Sequence, residues 1–146
     1  MVRAGMTDMV HVQSTATYER LIYRERMRIA PELKPDLSRT RGLSLLDITT
    51  TATFYDTLPG IYFRTTFTNK AEDHRLRAHL RTGIKATQFT TDSVFGLTER
   101  QIVKDSNLLV QKPQFNVFPM QTLSAVTGDS ETMVLLARGL SEVEPI

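Results

Sequence analysis

Hydrophobic and polar residues alternate with a period of two along much of this chain, and that period predicts strands rather than helices. It is plainest in IYFRTTFT, residues 61–68. Ile61, Phe63, Thr65 and Phe67 share one face there, and Tyr62, Arg64, Thr66 and Thr68 share the other. The preceding SLLDITTTATFY, residues 44–55, is dense in Thr, Ile, Phe and Tyr, which suit a pleated surface. Between the two runs lies DTLPG, residues 56–60, a turn in which Pro59 fixes its own φ and Gly60 is free to take φ > 0. Together these pieces predict an antiparallel hairpin.

The run YERLIYRERMRI, residues 18–29, admits two patterns. A helix would gather Tyr18, Leu21, Ile22 and Glu25. A strand gathers Leu21, Tyr23, Met27 and Ile29, interrupted only by Glu25, and is the tidier reading. APELKPDLSRTRG follows as a connection broken by Pro31 and Pro35. Downstream, NKAED turns the chain at 69–73. DHRLRAHLRTG then predicts a strand over 74–81, ended by Thr82-Gly83. Further strands are expected over 84–91 and 94–101, and a second hairpin over 122–127 and 132–138 around Gly128-Asp129-Ser130. Short strands joined by polar turns predict an all-β, antiparallel β-sandwich with few or no long helices. Residues 1–9 read as a flexible lead-in and 10–146 as a single domain.

The composition narrows the function classes. With 40% hydrophobic and 23% charged residues, the 146-residue chain is globular. Its formal net charge is only +2, which gives no ground for expecting a nucleic-acid partner. The absence of cysteine removes disulfides, thiolate metal sites and cysteine nucleophiles, and fits a cytoplasmic protein. No apolar run reaches the roughly 20 residues of a membrane-spanning helix, and the first residues lack the apolar stretch of a secretory signal, so no membrane partner is expected. Trp is absent, although sugar-binding modules often use it as a stacking surface.

No catalytic constellation emerges from the spacing. His11, His74 and His79 lack partners at zinc-ligand spacing. Ser130 sits in a Gly-Asp-Ser turn without a nearby base. Asp47, Asp56, Asp92 and Glu99 could be nominated as glycosidase carboxylates, but nothing pairs any two of them. The basic row Arg75, Arg77, His79 and Arg81, alternating with Leu76, Ala78 and Leu80, has two readings. It is either the solvated face of a strand, or a place where Arg75 or Arg77 grips a carboxylate of a sugar or a neighbouring domain in a bidentate fork.

Residues 65–84, TTFTNKAEDHRLRAHLRTGI, resemble the central segment of the C-terminal β-sandwich of family-38 glycoside hydrolases, the class II α-mannosidases, with its N-x-A-x-D-H-R-L-R turn and strand followed by P-T-G-I. Later segments agree in order. SVFGLTER at 93–100 is similar to S-x-F-D-x-x-x-R, FPMQ at 118–121 to F-P-x-x-x-F, and LARGLSEVE at 136–144 to L-x-x-G-L-x-E-Y-E. The resemblance spans about residues 18–146. Arg81 departs from the family's Pro, Gly96 from its Asp and Val143 from its Tyr.

The resemblance implies a non-catalytic β-sandwich domain of a retaining, zinc-dependent α-mannosidase. In that family the nucleophile, the acid and the zinc ligands lie on an N-terminal barrel, so the isolated chain is expected to be inactive and no catalytic or metal residue is assigned here. Zinc would belong to the parent's catalytic domain. The implied partners are that barrel and an α-mannoside or mannosylglycerate-like sugar. Surfaces left exposed by missing flanking parts suggest a homodimer of the isolated chain. The alternative is an independent carbohydrate- or protein-binding β-module.

Overall fold

A computed structural model describes residues 6–102 and 117–145. The fold is all-β, every strand pairing is antiparallel, and no helix occurs among the described residues. The chain divides into two compact units, Met1–Arg77 and Ala78–Ile146, each with its own four-stranded sheet. The boundary falls inside the single domain expected over 10–146, at the heart of the basic DHRLRAHLRTG segment.

In the first unit, β1 (Met6–Ser14), β2 (Tyr18–Ile29), β3 (Ser44–Tyr55) and β4 (Ile61–Phe67) pair in sequence order. β1 begins inside the expected lead-in, of which residues 1–5 lie outside the described residues. β2 is a strand over the whole expected run, so the period-two pattern prevails over the helical one. It pairs with β3 without a break from Tyr18↔Tyr55 to Ile29↔Ser44. The turn at 56–60 joins β3 to β4 as expected, with Gly60 at φ 91°.

Opposed residues of paired strands share a face. One face of this sheet is therefore apolar. Leu46, Ile48, Thr50 and Ala52 of β3 are all buried, beside Leu21, Tyr23 and Met27 of β2 and Phe63, Thr65 and Phe67 of β4. The one hydroxyl pair on this face, Thr50 and Thr65, is satisfied internally at 3.0 Å.

In the second unit, β5 (Gln88–Ser93), β6 (Gly96–Gln101), β8 (Leu123–Thr127) and β9 (Thr132–Leu136) form the sheet in the order β6-β5-β8-β9. The short strands β7 (Phe118–Pro119) and β10 (Glu142–Val143) pair with each other. Phe89, Thr91, Met120 and Ser124 are buried. The hairpin around Gly128 forms as expected, closed by the Gly128 N–H to the Glu131 carbonyl at 2.9 Å.

The strand expected over 74–81 does not form. Residues 74–87 join no ladder, and Leu80, expected to face the core, is 45% exposed. Two turns account for this. Asp73 takes φ 53° and is tied back to the 31–39 connection, which diverts the chain as it leaves NKAED. Gly83 takes φ 73° and the Thr82 hydroxyl accepts the Ile84 N–H, so the next strand starts at Gln88 rather than Ile84.

Candidate functional site

The segment singled out by resemblance is built as a set of turn locks. The Asn69 side-chain oxygen accepts the Ala71 N–H at 3.2 Å, a local turn that Asn favours. Ala71 is then buried. The Glu72 N–H donates to the Pro31 carbonyl. The Asp73 carboxylate accepts the Leu33 N–H at 3.1 Å, while Arg39 donates to the Asp73 carbonyl at 3.0 Å. The His74 ring nitrogen Nδ1 lies 3.2 Å from the Glu72 carbonyl. Thus Asn69, Ala71, Asp73 and His74 hold the chain's course. None of them converges on an open site.

The other matched segments meet one another in the second unit. FPMQ and GLSEVE are hydrogen-bonded through Glu142↔Pro119 and Val143↔Phe118. Arg100 lies over the Phe118 ring at 5.0 Å and donates to the Thr91 hydroxyl at 3.4 Å. Phe118 in turn packs on Phe89 with ring centroids 5.2 Å apart. An arginine between an aromatic face and a hydroxyl is a packing element as much as a charge.

Arg75 and Arg77, the candidate contact residues, are exposed in the segment that leads out of the first unit, and each is engaged by a partner group. Without a strand there, Arg75, Arg77, His79 and Arg81 are not a row on a sheet face, and the strand-face reading of the basic stripe is corrected accordingly.

Two of the nominated carboxylates, Asp47 and Asp92, are committed elsewhere. Asp47 is paired with Arg26 at 2.6 Å. Asp92 and Glu99 share a face of β5–β6, but the Asp92 oxygens accept the Gln121 N–H, the Thr122 N–H and the Thr122 hydroxyl, at 2.6–3.0 Å. The Thr122 hydroxyl, aided by backbone N–H groups, holds the Asp92 carboxyl down at about 2. A general acid needs the opposite shift, so Asp92 is a loop anchor. Ser130 is exposed in its turn. Among the described residues, no three His, Asp or Glu side chains are grouped to hold a metal ion. No helix among the described residues is long and apolar enough to cross a membrane.

One feature escaped the sequence reading. On β2, β3 and β4 the second face of the first sheet carries Arg20, Arg24, Arg26 and Arg28 from β2 and Arg64 from β4, against one carboxylate, Asp47. Between the arginine strands, Thr49, Thr51 and Thr53 of β3 form a hydroxyl floor. At one end Tyr18, Tyr55 and Tyr62 pack edge to face, with centroids 6.0 and 5.3 Å apart, and Arg20 lies over the Tyr18 ring at 4.7 Å. At the other end Leu45, Asp47, Thr68 and Lys70 line a depression of about 230 Å³. The signal was present at the even positions of YERLIYRERMRI.

Comparison with protein-family models, with curated proteins and with solved structures finds no match to this chain.

Proposed function

We propose that this chain is a non-catalytic β-sandwich portion of an α-mannosidase-type glycoside hydrolase, supporting a catalytic barrel and shaping its sugar cleft. The observation that carries the proposal is the in-order resemblance of four segments to that family. It gains support from their placement as turn locks and paired short strands in an all-antiparallel chain, a structural rather than a chemical role. In this reading zinc and the catalytic carboxylates belong to the barrel, and the substrate is an α-mannoside or a mannosylglycerate-like sugar. The cysteine-free sequence accords with a cytoplasmic location. Arg75 and Arg77 are assigned to the contact with the barrel or the sugar.

The test is Arg75→Ala and Arg77→Ala in the polypeptide encoded by the whole reading frame that contains this chain, measuring denaturant midpoint and α-mannosidase rate. A buried forked pair that loses one partner costs about 3–5 kcal/mol, whereas an exposed pair is worth about 0–1 kcal/mol. Lost stability with an unchanged rate per folded molecule supports the buttress. A lost rate at unchanged stability places the arginines at the sugar. If neither moves for either variant, the assignment of these arginines is wrong.

The second reading, an independent binding module, draws on the arginine–threonine–tyrosine face. A frame upstream of codon 1 that encodes no barrel would favour it.

A further inference from the structure

The two faces of the first sheet are charged very unevenly. On β2–β4 the apolar face carries Glu19 and Glu25 and no Lys or Arg, while the opposite face carries five arginines and one aspartate. In a chain with a net charge of only +2, five of the 18 Lys and Arg residues thus share one sheet face. Arg26 is neutralised by Asp47, and Arg20 is held between Tyr18 and the Thr53 hydroxyl. Arg24, Arg28 and Arg64 are exposed and have no ion-pair partner among the described residues. Unpaired arginines on a regular sheet present forked donors to carboxylate, sulfate or phosphate oxygens. Arg24, Arg26 and Arg28 alternate along β2 at about 6.7 Å intervals. Arg64 stands two strands away, across Thr51, so the cations rim a hydroxyl-lined strip rather than a point.

We propose that this face binds an acidic polysaccharide, a uronate- or sulfate-bearing chain laid along β2 and β3. Charge complementarity calls for a polyanion, and the remaining groups select the kind. Single-stranded nucleic acid is held by aromatic rings interleaved with the cations, each open to stack on a base. Here the rings are segregated at one end, locked edge to face, with one of them under Arg20. That arrangement offers no successive base platforms. The threonine row between the arginines supplies hydroxyls suited to a hydroxyl-rich ligand, and the exposed flanks of Tyr55 and Tyr62 give one end an apolar wall for a sugar ring. The proposal stands whether or not the chain belongs to a mannosidase.

The test titrates the full chain with polygalacturonate, low-molecular-weight heparin, neutral mannan and a fifteen-nucleotide oligothymidylate, at several salt concentrations. Tyrosine emission reports the encounter, since Tyr18, Tyr55 and Tyr62 lie on the face and the chain has no Trp. At least one of the two acidic glycans is expected to bind, and mannan is not. The triple variant Arg24→Gln/Arg28→Gln/Arg64→Gln should weaken binding about tenfold or more and flatten the salt dependence by about two to three ion equivalents. A charge-matched control, Lys34→Gln/Arg41→Gln/Lys85→Gln, should retain most of the affinity, because those residues are exposed and none belongs to β2, β3 or β4. The proposal is overturned by equal loss in the control, by tighter binding of the oligonucleotide than of either glycan, or by no binding of polygalacturonate or heparin at low salt.

Discussion

Asp73 offers the sharpest test of the idea that the NKAEDHR segment is a turn lock. Its backbone lies at φ 53°, and its carboxylate accepts the Leu33 N–H at 3.1 Å. Two separable contributions follow. The hydrogen bond is worth about 1 kcal/mol. The left-handed backbone costs a Cβ-bearing residue about 1 kcal/mol unless, like Asp or Asn, it stabilises that conformation locally. Asp73→Ala loses both and should destabilise the first unit by about 2 kcal/mol. Asp73→Gly relieves the backbone but not the bond, and should cost about 1 kcal/mol. Asp73→Asn can accept the same N–H in the same conformation and should stay within about 0.5 kcal/mol of the parent. With a urea slope of about 2 kcal/mol/M, the Ala variant's midpoint should fall by about 1 M. All four tyrosines lie in the first unit and Trp is absent, so tyrosine emission follows that unit alone. An Asn variant as unstable as the Ala variant, or an Ala variant indistinguishable from the parent, would show that Asp73 is not a turn lock.

In the second unit Phe89 is 2% exposed and packs on Phe118, so Phe89→Ala should cost about 3–5 kcal/mol, seen as lost hydrogen-exchange protection in β5 and β8. Asp92 makes stability pH-dependent. Its carboxyl is held at about 2 against an ordinary 3.8, so the unfolded chain binds the proton more readily between those values. Its contribution is complete above about pH 4 and lost as pH falls through about 2. The gap in stability between the parent and Asp92→Asn should accordingly narrow over that window, and a gap constant down to pH 2 would show that the Thr122 anchor is not charge-dependent.

What could be read from the sequence was the local pattern, and what could not was the pairing. β2 and β3 match the expected runs to the residue, β2 through a period-two apolar row interrupted only at Glu25 and β3 through its density of β-branched and aromatic residues. DHRLRAHL alternates just as well, yet forms no strand, because alternation describes a strand's two faces and says nothing of whether a neighbour supplies its ladder. The deciding bonds, Leu33 to Asp73 and Arg39 to Asp73, span 40 and 34 residues and leave no local mark. The arginine face was missed for a related reason. On YERLIYRERMRI the apolar odd positions drew attention to the core, while the even positions become a surface only once β3 and β4 place threonines and Arg64 beside them. The carboxylates behaved similarly: Asp92 looked as available as Glu99 until Gln121 and Thr122 were brought to it.

The most direct measurement of the central claim is α-mannosidase activity, assayed with nitrophenyl α-mannoside, of two polypeptides side by side: the 146-residue chain and the product of the whole reading frame that contains it. If the chain is a mannosidase's non-catalytic domain, no turnover is expected from the chain alone, with or without added zinc, and chelator-sensitive turnover is expected from the whole-frame product. Chelator-sensitive turnover by the chain alone, or a whole-frame product that folds and binds zinc yet leaves the mannoside intact, would contradict that assignment.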